Sequence, residues 1–330
     1  MNDATAYYRS SGVLPALERV ANLEITMGQN LTWLNLVGVD LVFLQRPHGK
    51  QFLKVAELVK EANIPLVLDF DDDFFSVPFD NPTHGHYSNR EIQKSVAMMC
   101  NLADAIIVST KHLKDKLSPT NKNIHVVPNA LNDYLMSLKR ELPKREKCFI
   151  WRGGQTHQND LMSHAEGIVG AARKLSESDT PWPFVFVGYN PWFVTGAMPP
   201  KFTVLVEKLP MKEYLNFIKG AAATAFVIPL ARNEFNLSKS NIAWLEATWA
   251  GSITIGPNTP EWRVPGCITT DGPRDMMEAI LEVTKCESSA NEKLAANAWE
   301  YVCDTLLLSR VNEGRLTAFQ SVLNHEIERW

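Results

Sequence analysis

Short apolar runs alternate with amphipathic stretches twice along this chain, and that rhythm restricts the fold more than any other feature. In the first half, 39–45, 65–70, 105–109 and 124–127 have the length and β-branched content of buried strands, with helical patterns at 50–62 and 91–102 between them. The rhythm restarts at 148–151 and continues through strand candidates at 184–187, 202–207, 223–228, 252–255 and 267–270. Helical patterns at 161–175, 211–219, 241–249 and 273–285 separate these strands, and 291–330 reads as two further helices. Strands that are apolar on both sides and alternate with helices imply crossovers and a mainly parallel sheet, so the fold class is α/β. A length of 330 residues suits two domains of about 150 each. The polar, charged segment 138–147, with Pro143, predicts the boundary. The expected units are 1–143 and 144–305, with 306–330 a C-terminal helix crossing back to the first. Two Rossmann-like, doubly wound units facing each other place a central cleft at the carboxyl ends of their strands, where ligand chemistry is expected.

Composition excludes several alternatives. With 45% hydrophobic and 21% charged residues, the chain is not intrinsically disordered. A net charge of −4 argues against a general nucleic-acid coat protein. One stretch, 111–147, holds nine Lys/Arg against four Asp/Glu, which predicts either a solvated face or a site for an anionic partner. The five cysteines (Cys100, Cys148, Cys267, Cys286 and Cys303) form no CxxC pair, which fits free thiols in a reducing compartment. The first nine residues hold no secretory apolar region, and no run reaches the roughly 20 apolar residues of a membrane helix. A cytoplasmic protein is the expectation.

The segments with chemical content sit at predicted strand ends. In 235–251 (FNLSKSNIAWLEATWAG) a polar loop leads into a helix, with Ser238 and Ser240 as candidate N-caps. Its free N–H groups, beside Lys239 and Asn241, would suit a diphosphate. Glu246, about two turns on, could accept hydrogen bonds from ribose hydroxyls, or it could be a solvated carboxylate. Arg152-Gly153-Gly154 follows a strand and precedes a helix, so it reads as a phosphate-approaching turn or as a turn alone. With Lys239, Arg152 would form a two-cation clamp on a leaving diphosphate. Asp71, Asp72 and Asp73 end an apolar strand. Three adjacent carboxylates there point to acceptor-hydroxyl binding or general-base work, to a metal assisted by His84 and His86, or to a capped turn. No metal is assigned.

The 235–251 tract resembles the donor-binding helix of GT-B glycosyltransferases, especially the family 4-like group, whose tract is also followed by a strand and a proline-containing loop, here Gly256-Pro257-Asn258-Thr259-Pro260. Other segments are similar to those of bacterial and phage transferases, in the same order: Tyr7-Tyr8-Arg9 with Pro15, Leu44-Gln45-Arg46-Pro47, the acidic run 69–74, Val108-Ser109-Thr110, Val127-Pro128-Asn129-Ala130, and Trp151-Arg152-Gly153-Gly154 with His157 and Asp160. The resemblance covers most of the chain. It implies the GT-B architecture, donor binding by the second domain and acceptor binding by the first. It also implies a metal-independent diphosphate clamp with no cofactor required, and retention of configuration.

By the same resemblance, Arg152, Gly153, Gly154, His157, Leu209, Ser238, Lys239, Ser240, Asn241 and Glu246 are donor-side residues, with the backbone near Leu209 cradling the base. Tyr8, Arg9, Arg46 and Asn129 fall on the acceptor side, and Asp71, Asp72, Asp73 and His84 are the catalytic candidates. The donor implied is a UDP- or GDP-sugar. The acceptor is a saccharide or lipid-linked saccharide, or a hydroxymethylated base in phage-type DNA.

Two departures stand out. Ser238 occupies the position where retaining family 4 enzymes often carry a second Glu, and the usual first strand of the N-terminal domain is missing or very short. A nucleotide-sugar epimerase or hydrolase on the same scaffold, and a non-catalytic sugar-nucleotide-binding module, remain the alternative readings.

Overall fold

The computed structural model describes residues 4–28, 31–136, 138, 145–177 and 181–329. Pro143 and the expected boundary at 143/144 lie outside the described residues. The chain forms an α/β molecule with a four-stranded and a six-stranded sheet, every strand pair parallel.

The first sheet contains β1 (Val42–Gln45), β2 (Leu66–Phe70), β3 (Ala105–Val108) and β4 (Ile124–Val126), side by side in sequence order. Right-handed crossovers that always advance in one direction put their helices on one face. Helices Gly49–Glu61, Arg90–Leu102 and Lys111–Leu117 accordingly pack against Leu66, Leu68, Ile106 and Val108. The other face needs cover from elsewhere, and the two ends of the chain supply it. The 3-10 helix Leu14–Arg19 and helix Leu308–Gln320 bury Leu14, Leu17, Leu308, Val311 and Phe319 against Val67, Ala105 and Ile107. The chain reaches this face through Leu307, which bridges Leu131.

The second sheet runs β10-β9-β8-β5-β6-β7. Its first strand, β5 (Glu146–Gly153), lies in the interior, and β6 (Phe184–Gly188) and β7 (Thr203–Glu207) extend it one way. β8 (Ala223–Val227), β9 (Ile253–Pro257) and β10 (Cys267–Thr270) extend it the other way. The reversal places helices on both faces. Ala165–Ser176 and Pro273–Lys285 cover Phe149, Phe184 and Val227, while Met211–Ala221, Ile242–Trp249 and Ser288–Thr305 cover Ile150, Val185 and Phe226. It also opens a crevice where the carboxyl ends of β5 and β8 diverge, the usual ligand position in such sheets. Among the described residues no helix is long and apolar enough to cross a membrane.

One local difference from the expectation has a clear cause, and the absence of a first N-terminal strand is as expected. The helix expected over 161–175 divides into Gln158–Met162 and Ala165–Ser176. The break is held by Ser163, whose hydroxyl is 2.7 Å from the Asp160 carbonyl and 2.8 Å from His164 Nδ1. The N-terminal segment forms no strand. It is a one-and-a-half-turn helix, Ala4–Arg9, inserted between the domains, with Tyr7 and Tyr8 in the second core and Arg9 in the first domain.

Candidate active site

On the first wall, β2 carries a buried Asp69 next to its last residue, Phe70, and runs on into Asp71-Asp72-Asp73. Arg9 binds Asp69 through two prongs, Nε to Oδ1 at 3.0 Å and Nη2 to Oδ2 at 2.6 Å. Its remaining nitrogen donates to the Val127 carbonyl at 2.7 Å and to Asn129 Oδ1 at 3.3 Å. Both members of this pair are fully buried. Such a pair satisfies itself and leaves nothing for a ligand. Arg9, expected on the acceptor side, is therefore a structural tie. Asn129 is another, since its amide donates across the domains to Ser240 Oγ at 2.8 Å.

Asp73 also departs from its expected role. Lys116 binds Oδ2 at 2.7 Å, and Oδ1 accepts the Phe75 N–H at 3.0 Å, so the side chain caps its own turn. His84 places Nδ1 2.8 Å from the Val77 carbonyl and its ring against Phe79, and it does not line the cleft.

Asp71 and Asp72 do face the cleft, beside Arg46. Arg46 follows β1 with a left-handed backbone, φ 49°, a strained conformation for a side chain of this size. That turn aims its guanidinium 3.4 Å from Asp71 Oδ1, 3.1 Å from Asp72 Oδ2 and 3.1 Å from Thr5 Oγ1. Asp72 also accepts from Lys239 Nζ of the second domain at 3.0 Å. Asp71 Oδ1 is buried with no hydrogen-bond partner. Burial and the adjacent Asp72 charge push the Asp71 carboxyl up to about 6. Asp72 is buried too, but Lys239 and Arg46 outweigh the desolvation and hold it below the usual carboxylate range.

The second wall is built on the crevice between β5 and β8. At the end of β5 the Arg152 side chain turns to Glu246, with Nε and Nη2 each 2.8 Å from Oε2. Glu246 lies on helix Ile242–Trp249 and is almost wholly buried. Tyr214 donates to the same oxygen at 2.8 Å, and Tyr8 donates to Oε1 at 3.0 Å. Burial first, then the Glu246 charge, raises both phenols well above their ordinary range, so both remain donors. Burial alone would lower the Arg152 guanidinium, but Glu246 raises it.

Gly153 is required sterically, because a Cβ there would lie 2.9 Å from the Trp151 ring. Beside Gly154 the nearest atom is 3.9 Å away, so the chain is open at that point. His157 Nδ1 is 2.9 Å from Asp160 Oδ2. Asp160 Oδ1 accepts the Ala231 N–H at 3.0 Å and the Asn236 amide at 2.6 Å, which sets the course of the loop carrying Lys239.

The expected serine caps do not form. Ser238 ends the helical turn Glu234–Leu237, and its carbonyl accepts from Thr110 at 3.1 Å. Ser240 accepts from Asn129, and Asn241 takes the N-cap position with no side-chain cap bond, its amide donating to the Glu261 carbonyl at 2.7 Å. The start of helix Ile242–Trp249 thus meets the cleft at Ile242 and Ala243. Gly251, at φ 78°, ends the helix in the left-handed conformation that glycine tolerates. Leu209 packs into the second domain's core and not on the cleft wall.

Arg46, Asp71, Asp72, Arg152, His157, Lys239, Ser240 and Glu246 therefore share one cleft of about 430 Å³, a size ordinary for small-molecule sites. Sequence reasoning missed Thr5, Tyr87 and Tyr214. Each sits on a helical stretch with no local motif, and only tertiary placement brings it to the cleft or to Glu246. Chemically, three cations from two domains converge on one volume, each already opposed by a carboxylate. An anionic ligand could exchange with those carboxylates, and Asp71 offers a proton acceptor near neutral pH.

No protein-family model and no curated protein matches this sequence. Solved structures do. A UDP-forming α,α-trehalose-phosphate synthase from Burkholderia xenovorans, in complex with glucose-6-phosphate, aligns with a TM-score of 0.63 at 9% identity, over 87% of this chain and 75% of its own. The trehalose-6-phosphate structure from E. coli bound with UDP-2-fluoro glucose gives 0.60 at 10% identity, over 89% and 76%. TarM gives 0.59 at 12% identity, over 82% and 58%. At such identities the likeness defines the fold, and that fold is GT-B: two α/β domains with parallel sheets that face a shared cleft.

Proposed function

We propose that this chain is a glycosyltransferase that takes a sugar from a nucleoside-diphosphate donor, a UDP-sugar in the first instance, and passes it to a hydroxyl acceptor. The observation that carries this reading is the convergence of Arg152 and Lys239 at the crevice of the second sheet, beside the N-terminus of helix Ile242–Trp249. As the glycosyl bond breaks, negative charge accumulates on the departing diphosphate. Two cations and a helix terminus fixed in a partly dry cleft stabilise that charge with little reorganisation. Glu246 has Oε2 taken by Arg152 and Tyr214, but Oε1 accepts only from Tyr8 and keeps an acceptor site at the cleft wall for a ribose hydroxyl of the donor. Asp71, on the other wall of the cleft, accepts the hydrogen bond of the acceptor hydroxyl, and finally its proton, as the hydroxyl attacks the anomeric carbon from the face that the diphosphate is leaving. The products are the glycosylated acceptor and the free nucleoside diphosphate.

The cleft volume favours a small acceptor such as a saccharide or sugar phosphate. Within the basic stretch, Lys116 is committed to Asp73 at 2.7 Å and Glu234 at 3.3 Å. Retention of configuration belongs to this proposal through the resemblance of the donor tract, and an NMR assignment of the product anomer checks it.

The test is release of nucleoside diphosphate from a panel of UDP- and GDP-sugars, alone and with saccharides, sugar phosphates or hydroxymethylated DNA. With a turned-over donor in hand, Arg152→Ala and Lys239→Ala should each lower turnover by about 100-fold or more. Full turnover by both variants would overturn the assignment, and equal turnover without any acceptor would identify a hydrolase.

A further inference from the structure

Lys239 reaches the cleft from the second domain, yet its ammonium contacts the first. It lies 3.0 Å from Asp72 Oδ1, and it also rests over the Phe235 ring, 4.5 Å from the centroid. The pair is largely withdrawn from water, with side chains 20% and 18% exposed. Asp72 Oδ2 is held by Arg46 at 3.1 Å. One carboxylate of the acceptor wall is therefore gripped by a cation from each wall, next to the start of helix Ile242–Trp249. A bound anion would be held in the same way. No hydrogen bond within the first domain requires Lys239, because Arg46 already serves both Asp71 and Asp72 from its own wall.

We propose that Asp72 keeps the place of the donor's diphosphate, so that nucleotide binding is a partner exchange in which Lys239 passes from Asp72 to the phosphates. This inference rests on the donor reading above and deepens it, giving Asp72 a positioning role. A diphosphate carries more charge than a carboxylate and is bound more strongly by Lys239, yet the pair with Asp72 must open first. The affinity measured for a nucleoside diphosphate is thus what remains after that contact is broken. Once released, Asp72 stands with Asp71 and shares Arg46, two carboxylates facing the acceptor. Arrival of the donor on one wall thereby prepares the other wall, through a single lysine.

The exchange makes a prediction of unusual sign: removing an acidic residue from the acceptor wall should tighten binding on the donor wall. Calorimetric titration of the intact protein with UDP, GDP and UMP tests it, on the natural chain and on the Asp72→Asn, Asp72→Ser and Lys239→Ala variants. Asp72→Asn and Asp72→Ser should bind the diphosphate about three- to tenfold more tightly, with UMP affinity unchanged if the phosphate that Lys239 takes up in the exchange is the one UMP lacks. Lys239→Ala should weaken the diphosphate and leave UMP unchanged. General damage to the fold would weaken every ligand, so the two Asp72 variants also separate exchange from a structural role. If the natural chain binds neither UDP nor GDP, the donor reading itself falls and this inference falls with it. If the natural chain binds and Lys239→Ala weakens it, but both Asp72 variants bind the diphosphate unchanged or more weakly, the exchange alone is overturned. Unchanged diphosphate binding by Lys239→Ala overturns it as well.

Discussion

Asp71 shows how a single residue can be strained by its setting. Its carboxyl is pushed up to about 6 by burial and by Asp72, whereas in the unfolded chain it would ionise near its ordinary value of 3.8. The folded state therefore binds this proton more tightly than the unfolded state does. The favourable contribution is complete below the unfolded value and is lost as pH rises through 6, so at pH 8 the ionised side chain costs stability. Asp71→Asn should raise the unfolding free energy at pH 8 by on the order of 1–3 kcal/mol. The gain should vanish below pH 4, while turnover falls. Denaturant unfolding at the two pH values checks it, and equal destabilisation at both would show that Asp71 is structural. Asp73, His84, Arg9 and Asn129 stand in motifs as suggestive as those of Asp71 and Lys239. What separates them is the partner each finds: Lys116, the Val77 carbonyl, Asp69 and Ser240. Those partners lie far away in sequence or on the backbone, so residue type and spacing do not reveal them.

Among the elements, periodicity was the legible part. The strands of both sheets and the helix Pro273–Lys285 fall where apolar spacing places them. Ends and caps were less legible. The helix carrying Glu246 takes Asn241 at its N-cap because Ser240 is drawn to Asn129 and the Ser238 carbonyl to Thr110, both in the other domain. Packing between helices was not legible either. Helix Ala165–Ser176 meets Pro273 through Gly167, where a Cβ would come within 1.8 Å of the Pro273 carbonyl oxygen. Gly167→Ala, harmless by helix propensity, should therefore destabilise the second domain by about 1–3 kcal/mol through overpacking. Gly220→Ala, where nothing lies within 4 Å of the new Cβ, is the control. A comparison of their thermal unfolding reads the difference directly.

At the scale of the whole molecule, the chain ends join the two domains. Helix Leu308–Gln320 covers the sheet face that the crossovers leave open, and the Ala4–Arg9 helix bonds to Glu246 through Tyr8 and to Asp69 through Arg9. A chain ending at Leu306 would expose Val67, Ala105 and Ile107. It should lose the cooperative unfolding of the first domain and aggregate, while tryptophan burial in the second domain persists. Sedimentation together with near-UV circular dichroism would show this, and a soluble, cooperatively folded product would refute it. The α/β class, the pair of parallel sheets and the strand ends where chemistry gathers can all be read from the order of residues alone. Those features follow from local periodicity and from the backbone's need to bury apolar strands between helices. Which charged residues face the cleft and which hold the domains together depends instead on contacts made after folding. A buried charge is settled by its nearest counter-charge, and for Lys239 that partner, Asp72, is 167 positions away on the opposite wall.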